Sequence, residues 1–186
     1  MYQLRLLSLI ALTIAITGCA NISKTPNEQR ASIQAMRQEV LTDLFRDKPD
    51  TRSQINSAPG YAVFSNVNVN LIFASMGGGY GIAKNMRTGK ETYMKMGEVG
   101  VGLGLGVKDF RAVMVFHTDK AYKDFIDFGW SFGGNADAAA KASDQGVAAG
   151  KEAVIDDVTI YQMTESGLAL QATLKGVKFW KDGDLN

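Results

Sequence analysis

The sequence predicts an α+β fold: an N-terminal amphipathic helix packed on a mainly antiparallel, glycine-rich β-sheet or small barrel. Three observations carry this expectation. Apolar residues recur at helical spacing between residues 33 and 45, strand patterns take over after Gly60, and the turns between those strands are short. Short connections allow antiparallel neighbours, whereas parallel strands need long crossovers.

Taken in order, Thr25-Pro26-Asn27-Glu28 reads as a capping box with proline at the first helical position. Behind it Ile33, Met36, Val40, Leu41, Leu44 and Phe45 form an apolar stripe over about twenty residues, and Asp47-Lys48-Pro49 ends it. The stripe is expected to pack on its own domain in preference to lying on a membrane, because the polar face mixes Arg30, Arg37 and Arg46 with Glu28, Glu39 and Asp43. Asp50 to Ala58 reads as a second short helix, ended by Pro59-Gly60.

Tyr61-Ala62-Val63-Phe64 then opens a strand, and Asn66 to Leu71 alternates polar and apolar residues. Gly77-Gly78-Gly79-Tyr80-Gly81 follows, with Arg87-Thr88-Gly89-Lys90 as a turn. Thr92 to Met96 leads into Val99 to Val107, where Gly100, Gly102, Gly104 and Gly106 leave one strand face as bare backbone. Lys108-Asp109 reads as a hairpin turn before the apolar run Arg111 to His117. Thr118 caps a helix to Phe128, with Ala121, Phe125 and aromatic neighbours on one side. Asp157 to Met163 and Leu168 to Lys175 read as a final hairpin around Glu165-Ser166-Gly167. Asn135 to Ala153 is rich in alanine but interrupted by Gly146 and Gly150, and composition leaves helix and strand both open.

The N-terminus reads as an address. Arg5 and the amino group precede the apolar stretch Leu6 to Ile16, which is too short to span a bilayer at about 20 residues. Ile16-Thr17-Gly18-Cys19 resembles the lipobox of bacterial lipoproteins, and Cys19 is the single cysteine of the chain. The expected partition is therefore residues 1–18 as a lipoprotein signal peptide, 19–25 as a tether after lipidated Cys19, 26–58 as a helical segment and 59–186 as a β-rich domain. A covalent diacylglycerol/acyl anchor, palmitate included, would sit on Cys19, since two or more acyl chains hold a protein stably at a membrane. Ala20 is not the aspartate associated with inner-membrane retention, so the periplasmic face of the outer membrane is the expected location.

Composition narrows the function classes. Twenty Lys and Arg against nineteen Asp and Glu leave no basic excess for a general nucleic-acid binder. One histidine and one cysteine build neither a His-rich metal site nor an internal disulfide, and no metal site or cofactor is expected. His117 is the only general base near neutrality, and a strand-end histidine with a local hydrogen bond is the plainer reading, so no catalytic residue is assigned. The GxGxG of Gly100 to Gly106 lies inside a strand that leads to another strand, not at the strand-to-helix turn that a dinucleotide site needs. A neighbouring element, an aromatic ring or a lipid acyl chain could fill the glycine face.

These motifs, in this order, resemble a SYLF domain, a lipid-binding module, from about residue 58 to residue 181. The matching stretches are Ala58 to Phe64, Gly77 to Gly81, the Gly100 to Gly106 alternation, Val113 to Phe116, Gly134 to Ala138, and Gly167-Leu168 through Leu174-Lys175-Gly176. The resemblance implies binding to acidic membrane phospholipid, with a headgroup other than a phosphoinositide, and implies that the alanine-rich stretch is extended. It implies no actin-related role in the absence of an SH3 or FYVE segment, and it names no protein partner. Candidate headgroup contacts are Lys84, Arg87, Lys90, Lys95, Lys108 and Arg111, a local basic excess, together with Lys175 and Lys178 beside Phe179, Trp180 and Lys181. The rival expectations are a structural or interaction lipoprotein with no separate lipid ligand, and a periplasmic hydrolase resting on His117 alone.

Overall fold

The computed structural model describes residues 24–66, 78–98, 111–132, 152–155, 157–164, 167–168 and 177–186. The helix α1 (Pro26–Asp47) starts as its sequence dictates. The backbone N–H of Glu28 donates to Thr25 Oγ1 at 3.3 Å, and the Thr25 N–H donates to Glu28 Oε2 at 2.7 Å. Ile33, Met36, Val40 and Leu44 are buried along one side, so the apolar stripe is spent on the protein's own core. A short helix, α2 (Thr51–Ser57), follows and buries Thr51 and Ile55.

The strands are β1 (Gly60–Ser65), β2 (Gly79–Asn85), β3 (Glu91–Glu98), β4 (Arg111–Phe116), β5 (Trp130–Phe132), β6 (Glu152–Ile155), β7 (Val158–Thr164), β8 (Gly167–Leu168) and β9 (Val177–Lys181). Between β4 and β5 lies the helix α3 (Asp119–Phe128). Every described pairing is antiparallel, in the order β5-β9-β3-β2-β1-β4-β7-β6, with β8 added to β7.

Helices cover both faces of this sheet. On one face Phe64, Met94, Met96, Met114, Phe116, Ile160 and Phe179 pack with Tyr122 and Phe125 of α3. On the other, Tyr61, Val63, Ile82, Val113, Val115 and Tyr161 pack with the stripe of α1 and with Ile55 of α2. The strands at the centre are therefore buried on both sides, which explains why β4 reads as a continuous apolar run instead of an alternation.

The structure departs from the sequence expectation at the C-terminal end. The hairpin of β7 with β8 is present but does not finish the domain. The chain continues into β9, which inserts between β3 and β5 on the opposite side of the sheet. Phe179 consequently belongs to the core, fully buried, and not to an exposed aromatic group. The strand β5 has three residues, too few to show a period in the sequence. After β9 the tail folds back: Leu185 is buried against α1's side of the sheet, and Asn186 brackets Tyr93 by accepting from its N–H and donating to its carbonyl.

Several expectations fall outside the described residues. These are the signal peptide and Cys19, the alternating residues 67–71, the Gly100 to Gly106 face with Lys108, and Lys175. Of the alanine-rich stretch only Glu152 and Ala153 are described, and both are in strand β6.

Candidate functional site

The most exposed large apolar side chain among the described residues is Phe128, 83% accessible, at the last residue of α3. The sequence pattern expected the helix's aromatics on one inward side. Tyr122 and Phe125 obey, whereas Phe128 is left on the open side of the helix end.

Local chemistry fixes where α3 lies. Thr118 Oγ1 accepts the Ala121 N–H at 3.2 Å, capping its start. At its end Gly129 turns the chain with φ 71° and ψ −170°, and its N–H donates to Phe125 O at 2.9 Å. A Cβ at this position would overlap the Phe179 carbonyl oxygen, so only glycine admits the approach of helix end to β9. Tyr122 lies against Gly60, where a Cβ would overlap its ring, and edge-on to Phe116 with centroids 5.5 Å apart. Phe125 meets the rings of Phe116 at 5.0 Å and Trp130 at 6.4 Å. Burial alone pushes the Tyr122 hydroxyl pKa up to about 12.

Two concavities flank the helix. The larger, about 770 Å³, runs between Phe125, Phe128, Trp130, Lys120, Asp124 and the β6–β7 turn at Asp157. The smaller, about 300 Å³, lies between α3 and the β2–β3 turn and is lined by Asn85, Thr88, Lys90, Thr92, Lys123 and Asp127, among others. That turn is shaped by Asn85, whose Oδ1 accepts from the N–H groups of Arg87 at 3.0 Å and Thr88 at 2.9 Å, and by Gly89 with φ 72°.

The predicted basic residues separate into two kinds. Arg111, its side chain only 12% exposed, is held by Asp43 at 3.0 Å and by Glu39 at 3.7 Å and pins α1 to the sheet. Lys95 bonds Asp182 at 3.1 Å and Asp184 at 3.0 Å; burial disfavours its charge, but these two carboxylates outweigh that and raise its pKa above the usual value. Both serve the fold. Arg87 pairs with Asp119 at 2.7 Å on the open surface, and Lys84 is half-buried near Glu91. Lys90 and Lys178 are exposed, Lys178 beside Trp180, whose ring lies over Gly97. Lys120 and Lys123 of α3 join the surface without having been singled out in the sequence, where a charged helix face carries no signal of what it borders.

His117 makes the local contacts expected of it: Nε2 lies 2.7 Å from Thr159 Oγ1, and its N–H donates to the Asp157 carbonyl at 2.8 Å. The glycines of the Gly77 to Gly81 motif that are described also have an account. Gly81 accommodates the Phe64 ring and Gly79 the Met96 side chain, so these positions are filled by the protein itself. Among the described residues no helix is long and apolar enough to cross a membrane.

Comparison with known proteins agrees with the sequence motifs. Residues 97–186 match the family described as Ysc84, "Las17-binding protein actin regulator". The chain is also similar to Beta cell expansion factor A of Aeromonas veronii, with 35% identity over 168 residues that cover 87% of this chain and 60% of that protein. It thus spans about 60% of the length of the curated relative it matches. Over residues 97–186 the chain is thus similar to the Ysc84 (SYLF) family, and most of its length is similar to this relative.

Proposed function

We propose that this protein is a lipid-anchored component of the cell envelope, at the periplasmic face of the outer membrane, whose SYLF domain binds phospholipid without catalysing a reaction. The anchor is the diacylglycerol/acyl group on Cys19, and the domain supplies a second point of attachment, with acidic headgroups among its ligands. The observation that carries this reading is the cleft beside α3. It draws together Lys90 from the β2–β3 turn and Lys123 from the helix, neither in an ion pair among the described residues, over the side chains of Thr88 and Thr92. Phe128 stands exposed on the same helix. Asp127, and Asp119 that also pairs with Arg87, offset much of the lysines' charge, so the attraction expected from an anionic surface is at most about 1 kcal/mol.

Flotation of residues 20–186 with vesicles tests the reading without the anchor. All the residues of both core clusters lie between Ile33 and Leu185, so this chain keeps the whole core. Binding to phosphatidylglycerol vesicles should weaken with salt, and the Lys90→Gln/Lys123→Gln double variant should reduce both the binding and its salt dependence. No flotation with any composition would sink it.

A second reading, a structural lipoprotein with no separate lipid ligand, is favoured by Gly79 and Gly81, whose open faces are occupied by Met96 and Phe64. Flotation decides between the two.

A further inference from the structure

Resting on the phospholipid reading, we propose that the cleft between α3 and the β2–β3 turn recognises a phosphoglycerol headgroup. Its lysines take the phosphodiester, and Asp127 with the buried hydroxyls of Tyr122 and Thr92 takes the glycerol. The headgroup is thereby chosen by hydrogen bonding, and not by attraction to an acidic surface alone.

The cleft sets one flank of α3 against one end of the sheet. Asp119, Tyr122, Lys123, Ile126 and Asp127 recur along that flank at helical spacing. Thr92 faces them from β3, because it pairs with Ala83, a member of the core cluster on the α3 side. Two of the lining side chains are buried polar groups. Thr92 is 3% exposed and Tyr122 7% exposed, and neither hydroxyl makes a hydrogen bond among the described residues. Burial is the sole influence on the Tyr122 hydroxyl, with no hydrogen bond to offset it. Buried hydroxyls nearly always have a partner, and an unmet one costs stability. The fold does not require either of these. A phenylalanine ring would pack equally well against Gly60 and Phe116, and valine suits a buried strand position better than threonine.

Charge then selects among phosphate groups. Asp119 is paired with Arg87, which leaves Lys90 and Lys123 against Asp127, none of the three in an ion pair among the described residues. Their single net positive charge balances one phosphodiester anion, whereas a zwitterionic headgroup would leave the site charged. A bare phosphate would set its oxygens against Asp127, whose carboxylate only accepts hydrogen bonds. Glycerol hydroxyls resolve this: they donate to Asp127 and exchange hydrogen bonds with Tyr122 and Thr92, while the ammonium groups of Lys90 and Lys123 donate to the phosphate. A volume of about 300 Å³ admits the headgroup and leaves the acyl chains outside.

The experiment uses residues 20–186, which keep the whole core. Short-chain phosphatidylglycerol is titrated calorimetrically below its micellar concentration. Phosphatidylmethanol of the same chains supplies the same charge without headgroup hydroxyls, phosphatidylethanolamine supplies the zwitterion, and glycerophosphoglycerol is the soluble form of the headgroup. We expect phosphatidylglycerol to bind about tenfold tighter than either other lipid. Tyr122→Phe and Thr92→Val should each reduce that preference about threefold, as for loss of a neutral hydrogen bond, yet melt at or above the parent temperature. A merely structural hydroxyl would do the reverse, lowering the melting temperature and leaving the preference intact. Asp127→Ala should bring phosphatidylglycerol and phosphatidylmethanol close to equal affinity. Lys120→Gln makes the same charge change as Lys123→Gln on the helix's other flank and should titrate like the parent. Equal binding of phosphatidylglycerol and phosphatidylmethanol to the parent would overturn the proposal, as would an unchanged preference in Asp127→Ala. Glycerophosphoglycerol binding as tightly as the lipid would replace the lipid by a soluble phosphodiester. If phosphatidylglycerol flotation persists and still depends on Lys90 and Lys123 while the preference is missing, this inference falls alone. If flotation fails for every vesicle, the parent reading falls with it.

Discussion

Gly89 and Gly129 have almost the same φ, 72° and 71°, yet they should respond very differently to alanine. At Gly89 nothing lies within 4 Å of the added Cβ, so Gly89→Ala meets only backbone strain, about 1–2 kcal/mol for a left-handed residue. At Gly129 the ψ of −170° places the residue in a region essentially reserved for glycine, a cost of about 1–3 kcal/mol before any collision. The new methyl would also overlap the Phe179 carbonyl oxygen, in a strand fixed on one side to β3 and on the other to β5. Relief requires moving the end of α3 away from β9, which breaks the packing of Phe125 on Phe64, Phe116 and Phe179. Loosening a buried phenylalanine forfeits part of the roughly 3–5 kcal/mol that its removal would cost. Gly129→Ala should therefore lose at least about 3 kcal/mol, and Gly89→Ala no more than about 2 kcal/mol. Urea unfolding followed by circular dichroism and by tryptophan fluorescence measures both, with Trp130 one residue beyond the strained position. Equal losses would refute the reasoning, since they would mean that the helix end is free to move and that neither flanking concavity is a preformed shape.

Tyr122 gives an alkaline prediction whose sign follows from its raised pKa. The unfolded hydroxyl ionises near 10 while the folded one resists to about 12, so the unfolded state sheds its proton first. Stability contributed by keeping Tyr122 neutral is full below pH 10 and is lost as pH rises towards 12; Tyr122→Phe should flatten its share of that decline, and an unchanged slope in chemical denaturation would contradict the burial. Arg111→Met should destabilise by about 1–2 kcal/mol in urea melts, because the nearly enclosed bridge from β4 to Asp43 and Glu39 of α1 is lost and Asp43 keeps only the exposed Arg46 among the described residues. If it instead lowers phosphatidylglycerol flotation at unchanged stability, Arg111 is a lipid contact and not a pin. Cys19→Ser in the full chain should abolish incorporation of labelled palmitate and release the processed protein from membranes; persistence in the membrane fraction after processing would remove the anchor from the proposal.

What the sequence made legible was whatever rests on local rules. The capping box at Thr25, the stripe of α1, the Thr118 cap and the turn at Gly89 all depend on neighbours within a few residues, and each is present as read. The missing parts depend on partners far along the chain. β9 is recognisable only once β3 and β5 offer it two edges, and Phe179 becomes core only because that insertion places it there. The basic residues show the same limit. Lys95 and Arg111 look like Lys90 in the sequence, but the first two meet carboxylates from Asp182 and Asp43, almost 90 and almost 70 residues away. Lys90 meets none among the described residues and stays available for a ligand.

The same long-range pairing bears on where the domain begins. A boundary at residue 59 separates a helical segment from a sheet by pattern, and the family match starts later still, at residue 97. Neither line can be cut in the folded protein. β4 pairs with β1 and β9 pairs with β3, so the two halves of the matched segment are joined through strands that precede most of it. One face of those strands is covered by Ile33, Met36, Val40 and Leu44, and the final residues close over the same layer, with the Leu185 carbonyl accepting from Arg30 Nε at 3.0 Å. The cooperative unit therefore extends from α1 to the C-terminal turn. Its start lies only a few residues after Cys19, so a lipidated cysteine would hold this whole unit, and with it the α3 surface, within a short tether of the membrane.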